Sequence, residues 1–221
     1  MKQLENLVEK FENLVERFED LVEQFESISD QSIPETVETN MNPEYRFDNF
    51  IVNKDNNLAH SAAVLIVENE ISGHPNDPLY IYGDHGCGKT HLMTAIGNYI
   101  SKNTDKNVIY VTAERFIEEM TRAMKEDSKE MIGLVRRKYS CADVLLFDDL
   151  QKIVEYPPVL EEFFHILNRR FQEDMAIVIT SDKHPVYMKE LDERFRSRIN
   201  RGFIVNIVKQ AKMNSKKEKT Q

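Results

Sequence analysis

Residues 83–90 combine flexible and charged side chains in a spacing that suits the binding of phosphate. They match the pattern G-x-x-x-x-G-K-T at every position, with an apolar run before them at 79–82 and a stretch of helical spacing after them. Glycines let successive backbone N–H groups turn toward phosphate oxygens, and the start of the helix adds a favourable dipole. The pattern predicts a phosphate-binding loop, in which Lys89 reaches the β- and γ-phosphates and the Thr90 hydroxyl binds Mg²⁺. An ordinary glycine-rich turn is the alternative, and it would not require the complete motif.

Such a loop predicts a nucleoside triphosphate ligand, here ATP or ADP together with Mg²⁺. The residues expected to contact it are the eight of the loop and the one that follows: Gly83, Asp84, His85, Gly86, Cys87, Gly88, Lys89, Thr90 and His91. Three aromatic residues lie ahead of the loop, at Tyr45, Phe47 and Phe50. They could stack on the adenine ring or pin their own segment to the core, and their position in the sequence does not decide between the two.

Two adjacent carboxylates follow a second apolar run. Residues 144–147 predict a fully buried parallel strand, and Asp148 and Asp149 come directly after it. Asp148 is then placed to hold the Mg²⁺ shell, and Asp149 to orient or activate the attacking water. Two aspartates after a strand are a weak signal alone, but beside a phosphate loop they predict a nucleotide-hydrolysing site.

Other polar side chains later in the chain could complete this site. Asp182 follows a buried strand predicted at 175–180, where it could contact the γ-phosphate or the water. Arg194 and Arg198 are four residues apart, which puts both guanidinium groups on one helix face. They are either ordinary surface arginines or an arginine finger that acts on a neighbouring subunit's nucleotide. A separate basic cluster consists of Arg136, Arg137 and Lys138. It could contact nucleic-acid phosphates, although a solvated helix end is the commoner role of such a cluster.

Five apolar strand candidates alternate with helical stretches between residues 42 and 208. The strands are predicted at 79–82, 107–111, 144–147, 175–180 and 203–208, and the main helices at 57–71, 89–100, 114–139 with a break near 127–128, and 157–171. This alternation predicts an α/β protein of three layers, with a five-stranded, mostly parallel sheet between two layers of helices. The nucleotide should then lie beyond the carboxyl ends of the strands.

The first 40 residues differ from the rest in pattern and in charge. Residues 4–28 repeat a heptad of leucine and phenylalanine, which predicts a long amphipathic or coiled-coil helix over 1–30, followed by a linker at 31–41. That helix could self-associate, bind a partner or lie against its own domain. Residues 1–40 hold 3 Lys/Arg and 11 Asp/Glu, a charge of −8 out of a total of −9. The remainder is nearly neutral, so net charge neither supports nor excludes DNA binding.

Composition narrows the class of protein further. Of the 221 residues, 41% are hydrophobic and 30% charged, and no apolar run approaches the roughly 20 residues that span a bilayer. We see no secretory signal at the start, and two cysteines, Cys87 and Cys141, do not form a disulfide framework. We therefore expect a cytoplasmic protein with no membrane partner. The tail at 209–221 is basic and is expected to be disordered.

Residues 42 to about 208 resemble the AAA+ core of DnaA-type bacterial replication initiators. Six stretches carry the resemblance, in the order the family has them: NPEYRFDNFIV, LYIYGDHGCGKTHLMTAIGNYI, VLLFDDLQ, LEEFFHILN, IVITSD and LDERFRSRIN. It implies a P-loop NTPase of the AAA+ ASCE type. It also implies the sensor 1 role for Asp182, the arginine finger for Arg198 and a nearby nucleotide-responsive role for Arg194.

The resemblance further implies a function in DNA replication. It places the 114–139 helices in an initiator-specific insertion that lines a channel for single-stranded DNA, with the basic cluster as candidate contacts. The expected protein is a nucleotide-switched assembly factor in replication initiation or its regulation, with slow hydrolysis completed by a neighbouring subunit. Alternatives are a helicase-loader or transposase-helper ATPase, or a non-catalytic nucleotide-binding adaptor multimerised by the 1–30 helix. Because only about 13 residues follow the last strand, we expect neither the family's lid nor its helix-turn-helix domain.

Overall fold

A single sheet of five parallel strands lies at the centre of the residues that the structure describes. The computed structural model describes residues 40–72, 77–126, 128–191 and 193–208. The strands are β1 (Leu79–Tyr82), β2 (Val108–Thr112), β3 (Val144–Asp148), β4 (Ala176–Ser181) and β5 (Phe203–Asn206). They pair in the order β2-β3-β4-β1-β5, and all four pairings are parallel. The strand that precedes the phosphate loop therefore lies next to β4, with the aspartate-bearing β3 one strand further.

Six α-helices connect and flank these strands within the described ranges. They are α1 (Asn57–Ser72), α2 (Lys89–Asn103), α3 (Ala113–Lys125), α4 (Lys129–Ser140), α5 (Pro157–Gln172) and α6 (Glu193–Ile199), and a 3₁₀ helix spans Leu150–Glu155. The break predicted near 127–128 separates α3 from α4. Helices α3 and α4 each begin with a hydroxyl cap. The Thr112 hydroxyl accepts a hydrogen bond from the Arg115 N–H, and the Ser128 hydroxyl accepts one from the Met131 N–H.

Alternate residues of the strands face opposite layers of helices. On one face Leu79 and Ile81 of β1 belong to the same buried cluster as Ile96 of α2. On the other face Phe147 of β3 packs against Phe163 of α5, with ring centroids 4.1 Å apart. Period-two alternation with both faces buried is what a parallel sheet between helices requires. The predicted three-layer α/β architecture is confirmed.

Several predictions concern parts of the chain outside the described residues. The heptad helix at 1–30, the linker at 31–41 up to residue 39 and the tail at 209–221 all belong to this group. None of the helices in the described ranges has both the length and the apolar character needed to cross a bilayer.

Arg170 joins three segments at the amino-terminal edge of the sheet. Its side chain is fully buried, and it donates hydrogen bonds to the carbonyls of Tyr139 (3.0 Å), Ala142 (2.6 Å), Asp143 (3.1 Å) and Ala176. Burial lowers the pKa of the guanidinium to about 10, which leaves it charged at neutral pH. The end of α4 and the starts of β3 and β4 thus share one buried cation.

Replacing Arg170 should destabilise the fold strongly. In Arg170→Met four carbonyls, three of them in buried hydrogen bonds, lose their donor, and we expect the free energy of unfolding to fall by about 3 kcal/mol. Urea denaturation followed by circular dichroism measures this loss. The control is Arg169→Met, which removes an exposed i,i+4 pair with Glu173 (3.1 Å) and should cost below about 0.5 kcal/mol. Equal losses in the two variants would contradict the structural role of Arg170.

Candidate active site

The phosphate loop runs from the end of β1 to the start of α2, and at two of its glycines a side chain would be strained or would clash. Gly88 caps α2 with φ 106° and ψ 12°, in the left-handed region. A Cβ atom there would lie 3.2 Å from the ring of Phe50. A Cβ at Gly83 would lie 2.1 Å from the carbonyl oxygen of Ile207. The loop is therefore enclosed by the aromatic segment on one side and by the residues after β5 on the other.

Lys89 is held within this loop. Its side chain is buried, and Nζ donates hydrogen bonds to the carbonyls of Gly83 (2.7 Å) and Asp84 (3.1 Å). The ammonium thus lies inside the curve of the backbone, where a bound phosphate would meet it. This is the position that a P-loop lysine needs in order to reach phosphate oxygens.

Asp148 is buried at the end of β3, and three hydroxyl groups surround its carboxylate. Thr90 of α2 and Tyr110 of β2 each donate to Oδ2 at 2.9 Å, and Thr180 of β4 donates to Oδ1. Burial, and then the neighbouring Asp148 charge, raise the pKa of Tyr110, so its hydroxyl keeps its proton. Carboxylate and hydroxyl oxygens are the donors that Mg²⁺ prefers, and the cation usually takes the rest of its shell from phosphates and water. Thr90 and Asp148 therefore fit the predicted Mg²⁺ site.

Asp149 is fixed by its backbone and by both carboxylate oxygens. Its φ of 63° lies in the left-handed region, and its N–H donates to the Thr180 hydroxyl at 3.0 Å. Oδ1 accepts from Gln151 (3.0 Å) and Oδ2 from Lys152 (2.8 Å). Burial alone would raise the pKa of Asp149, but these two donors outweigh burial and hold that pKa below its ordinary value. The carboxylate is therefore ionised at neutral pH, as a group that accepts a proton from water must be.

Gln151 connects Asp149 with Asp182. Its amide donates to Asp149, and its Oε1 accepts from the Asp182 N–H at 3.1 Å. Asp182 itself is exposed just beyond β4. The structure thus brings the phosphate loop, the paired aspartates and Asp182 together at the carboxyl edge of the sheet. The role of Asp182 toward a nucleotide stays a prediction.

The aromatic segment ahead of α1 is packed against the domain. Phe50 is buried beside Gly88, and Tyr45 stacks on His91 with ring centroids 4.7 Å apart. His91 Nε2 also lies within hydrogen-bond distance of the Arg46 carbonyl (3.1 Å) and of the Asn49 side chain. The aromatic residues therefore pin their segment to the core. His91 joins that segment to α2, and its contact with nucleotide stays a prediction.

Arg194 and Arg198 share one face of α6, as their spacing predicts. The guanidinium of Arg194 lies 5.2 Å from the centre of the Phe164 ring, and that of Arg198 lies 5.7 Å from the Phe171 ring. Both aromatic rings belong to α5, so the two arginines lie along that helix. Their roles toward a neighbouring subunit stay predictions.

The basic cluster on α4 is largely paired within the chain. Arg136 forms a bidentate ion pair with Glu162 of α5, and Lys138 forms an ion pair with Glu119 of α3 at 2.8 Å. Arg137 alone of the three is exposed without an ion pair among the described residues. Arg136 and Lys138 thus have carboxylate partners within the chain, and contact of the cluster with nucleic acid stays a prediction.

Four residues of the site are missing from the sequence-based prediction. They are Tyr110, Gln151, Lys152 and Thr180. Thr180 could have been predicted from the pairing of the two strands. Phe147 of β3 pairs with Ile179 of β4, which places Asp148 beside Thr180. Gln151 lies in the quoted stretch VLLFDDLQ, which assigned it no role, and Tyr110 and Lys152 lie outside the six stretches.

The strand order, the phosphate loop and the paired aspartates define a P-loop NTPase of the AAA+ type. A family model described as the bacterial DnaA ATPase domain matches residues 41–206. The chain belongs to that family.

Similar proteins support this assignment. The chromosomal replication initiator protein DnaA of Caldanaerobacter subterraneus subsp. tengcongensis is 41% identical over 179 residues, which cover 80% of this chain and 39% of that protein. The chain thus spans about two fifths of the length of that relative. A solved structure of the replication initiator DnaA bound to AMPPCP and single-stranded DNA is 36% identical, with a TM-score of 0.69 over 76% of this chain and 50% of that one. The DnaC helicase loader, at 18% identity and a TM-score of 0.50 over 75% of this chain and 97% of that one, shows a shared fold alone.

Thr180 offers a direct test of how the aspartates are positioned. Thr180→Val keeps the shape but removes the donor to Asp148 and the acceptor for the Asp149 N–H, so unfolding should become easier by about 1–3 kcal/mol. We also expect the Mg²⁺-dependent affinity for ATP to fall about 10- to 100-fold, as for other groups that orient a metal ligand. Urea denaturation and calorimetric titration measure the two effects. Thr180→Ser keeps the hydroxyl and should retain most of the affinity; an equal loss in both variants would refute the role of the hydroxyl.

Proposed function

We propose that this domain binds ATP with Mg²⁺, hydrolyses it slowly and acts as a nucleotide-switched assembly factor in DNA replication initiation or its regulation. The observation that carries the proposal is the 2.9 Å hydrogen bond from Thr90 to Asp148, which joins the phosphate loop to the paired aspartates. Membership of the DnaA ATPase-domain family and the likeness to a DnaA structure bound to AMPPCP support it.

Each group of the site has a distinct part in this proposal. Lys89 binds the β- and γ-phosphates, and Thr90 with Asp148 holds Mg²⁺, which neutralises charge on the triphosphate. Asp149 orients the attacking water and accepts its proton. Asp182, which Gln151 links to Asp149, is assigned the role of responding to the γ-phosphate.

In this proposal an arginine of a neighbouring subunit supplies positive charge to the bound nucleotide. The guanidinium of Arg198 lies 5.7 Å from the centre of the Phe171 ring of α5. We assign it the arginine finger for the nucleotide of an adjacent copy, with Arg194 as the nearby nucleotide-responsive residue. Arginine fingers contribute roughly 10³–10⁵ in rate where they have been measured, so isolated subunits should turn over slowly.

Single-stranded DNA or a replication protein is the proposed partner of the assembled form. The DnaA structure bound to single-stranded DNA supports this class of ligand. In this chain Arg137 is the residue of the α4 cluster whose charge is still available, because Arg136 and Lys138 are paired with carboxylates. Self-association through the 1–30 helix is a further part of the proposal.

Asp149→Asn tests hydrolysis separately from binding. The amide cannot accept a proton from water, so phosphate release should fall by at least about 100-fold while ATP affinity stays within about threefold of the parent. Asp174→Asn is a matched control, because Asp174 is also an aspartate in the left-handed region (φ 50°) but lies in an exposed turn. Phosphate release is measured with and without single-stranded DNA. A parent protein that binds ATP but releases no phosphate under either condition would favour the non-catalytic adaptor instead.

Arg198→Ala tests the role of the neighbouring subunit. ATP binding should be unchanged, while the rise of specific activity with protein concentration should be lost, because each nucleotide then lacks the cation from the next copy. Arg201→Ala, which alters an exposed arginine just after α6, should keep that rise. Concentration-dependent turnover that persists in Arg198→Ala would refute the finger assignment.

A further inference from the structure

Lys152 lies between two carboxylates that come from different parts of the fold. Its Nζ is 2.8 Å from Asp149 Oδ2, and it also forms an ion pair with Oε1 of Glu114. Lys152 belongs to the 3₁₀ helix that follows Asp149, and Glu114 to the first turn of α3. One ammonium is therefore shared between the proposed water-activating group and a helix of the neighbouring layer.

This contact limits what Asp149 can do. A carboxylate that activates water must present an oxygen lone pair to that water, and here Gln151 donates a hydrogen bond to Oδ1 while Lys152 donates one to Oδ2. An ammonium held against a carboxylate oxygen draws on its lone pairs and restricts its rotation. Asp149 is thus ionised, but both of its carboxylate oxygens accept hydrogen bonds from side chains. Release of Lys152 would leave Oδ2 without this donor and available to the water.

The fold does not depend on Lys152. Its side chain is 41% exposed, and ion pairs of this exposure contribute little to stability. The 3₁₀ helix is anchored instead by Leu150 and Ile153, which are fully buried. The backbone of Asp149 is held separately by its hydrogen bond to Thr180. Lys152 can therefore exchange partners without disturbing the site around it.

Glu114 and Asp149 compete for the same ammonium. When Glu114 holds Lys152 more strongly, Asp149 is held less strongly, and the reverse is also true. Glu114 lies two residues after the Thr112 cap, in the first turn of α3, so a shift of α3 changes the distance between its carboxylate and Lys152. The position of α3 would in this way set the availability of Asp149.

We propose that Lys152 is a positioning residue that restrains Asp149 and slows ATP hydrolysis, and that Glu114 of α3 weakens this restraint. The proposal rests on the proposed function, since it concerns the same hydrolytic step. It makes two predictions of opposite sign for the two sides of one ion pair, whereas a merely structural salt bridge would give the same sign for both.

Single-turnover ATP hydrolysis by the full chain tests the proposal with four variants. Lys152→Met should raise the rate of hydrolysis about twofold to fivefold with ATP affinity unchanged, the size expected from removing one exposed ion pair. Lys152→Arg keeps the charge and should stay near the parent rate. Glu114→Gln leaves the ammonium to Asp149 alone and should lower the rate about twofold to threefold. The double variant Glu114→Gln/Lys152→Met should match Lys152→Met, because Glu114 acts only through the lysine.

The outcomes separate this proposal from the one on which it rests. If the parent hydrolyses ATP and Asp149→Asn does not, but Lys152→Met is no faster than the parent, the restraint is wrong and the hydrolytic function stands. A Glu114→Gln rate equal to or above that of the parent would overturn the link to α3. If the parent and every variant bind ATP and none hydrolyses it, the hydrolytic function fails and the restraint fails with it.

Discussion

The buried carboxylate of Asp148 is the constraint on which the rest of the site depends. A charge with 4% exposure at the end of a central strand is costly unless it is well hydrogen-bonded. The chain meets this requirement with hydroxyl groups from three elements, Thr90 on α2, Tyr110 on β2 and Thr180 on β4. The same bonds that make the buried charge tolerable hold the phosphate loop and two flanking strands in position around it.

The contacts around Asp148 determine how far the neighbouring groups can move. Thr180 also fixes the backbone of Asp149, and Gln151 links Asp149 to Asp182. Phe50 closes the other side of the loop at Gly88, where no side chain beyond hydrogen fits comfortably. The core of the site is therefore rigid, and its adjustable parts are the exposed ends of Lys152 and Glu114.

How much of the site could be predicted from the sequence depends on how far apart the interacting residues lie along the chain. The loop at 83–90 and the pair Asp148-Asp149 are local patterns, and the apolar runs around them have the lengths of buried strands, so these parts were predictable. The ion pairs of the basic cluster were not predictable, because Arg136 is paired with a residue 26 positions away and Lys138 with one 19 positions away. Charge clusters look alike in a sequence whether or not the fold brings carboxylates to them. The position of Lys152 was not predictable for the same reason, since its second partner is 38 positions earlier in the chain.

Strand β3 is fastened at both of its ends. At its start, Arg170 binds the carbonyl of Asp143 together with that of Ala176 on β4. At its carboxyl end, Asp148 accepts hydrogen bonds from hydroxyl groups of the strands on either side. A strand held in this way cannot slip by a residue against its neighbours without breaking a buried charge contact. Any conformational signal that crosses this domain must therefore travel by tilting of the outer helices and not by sliding within the sheet.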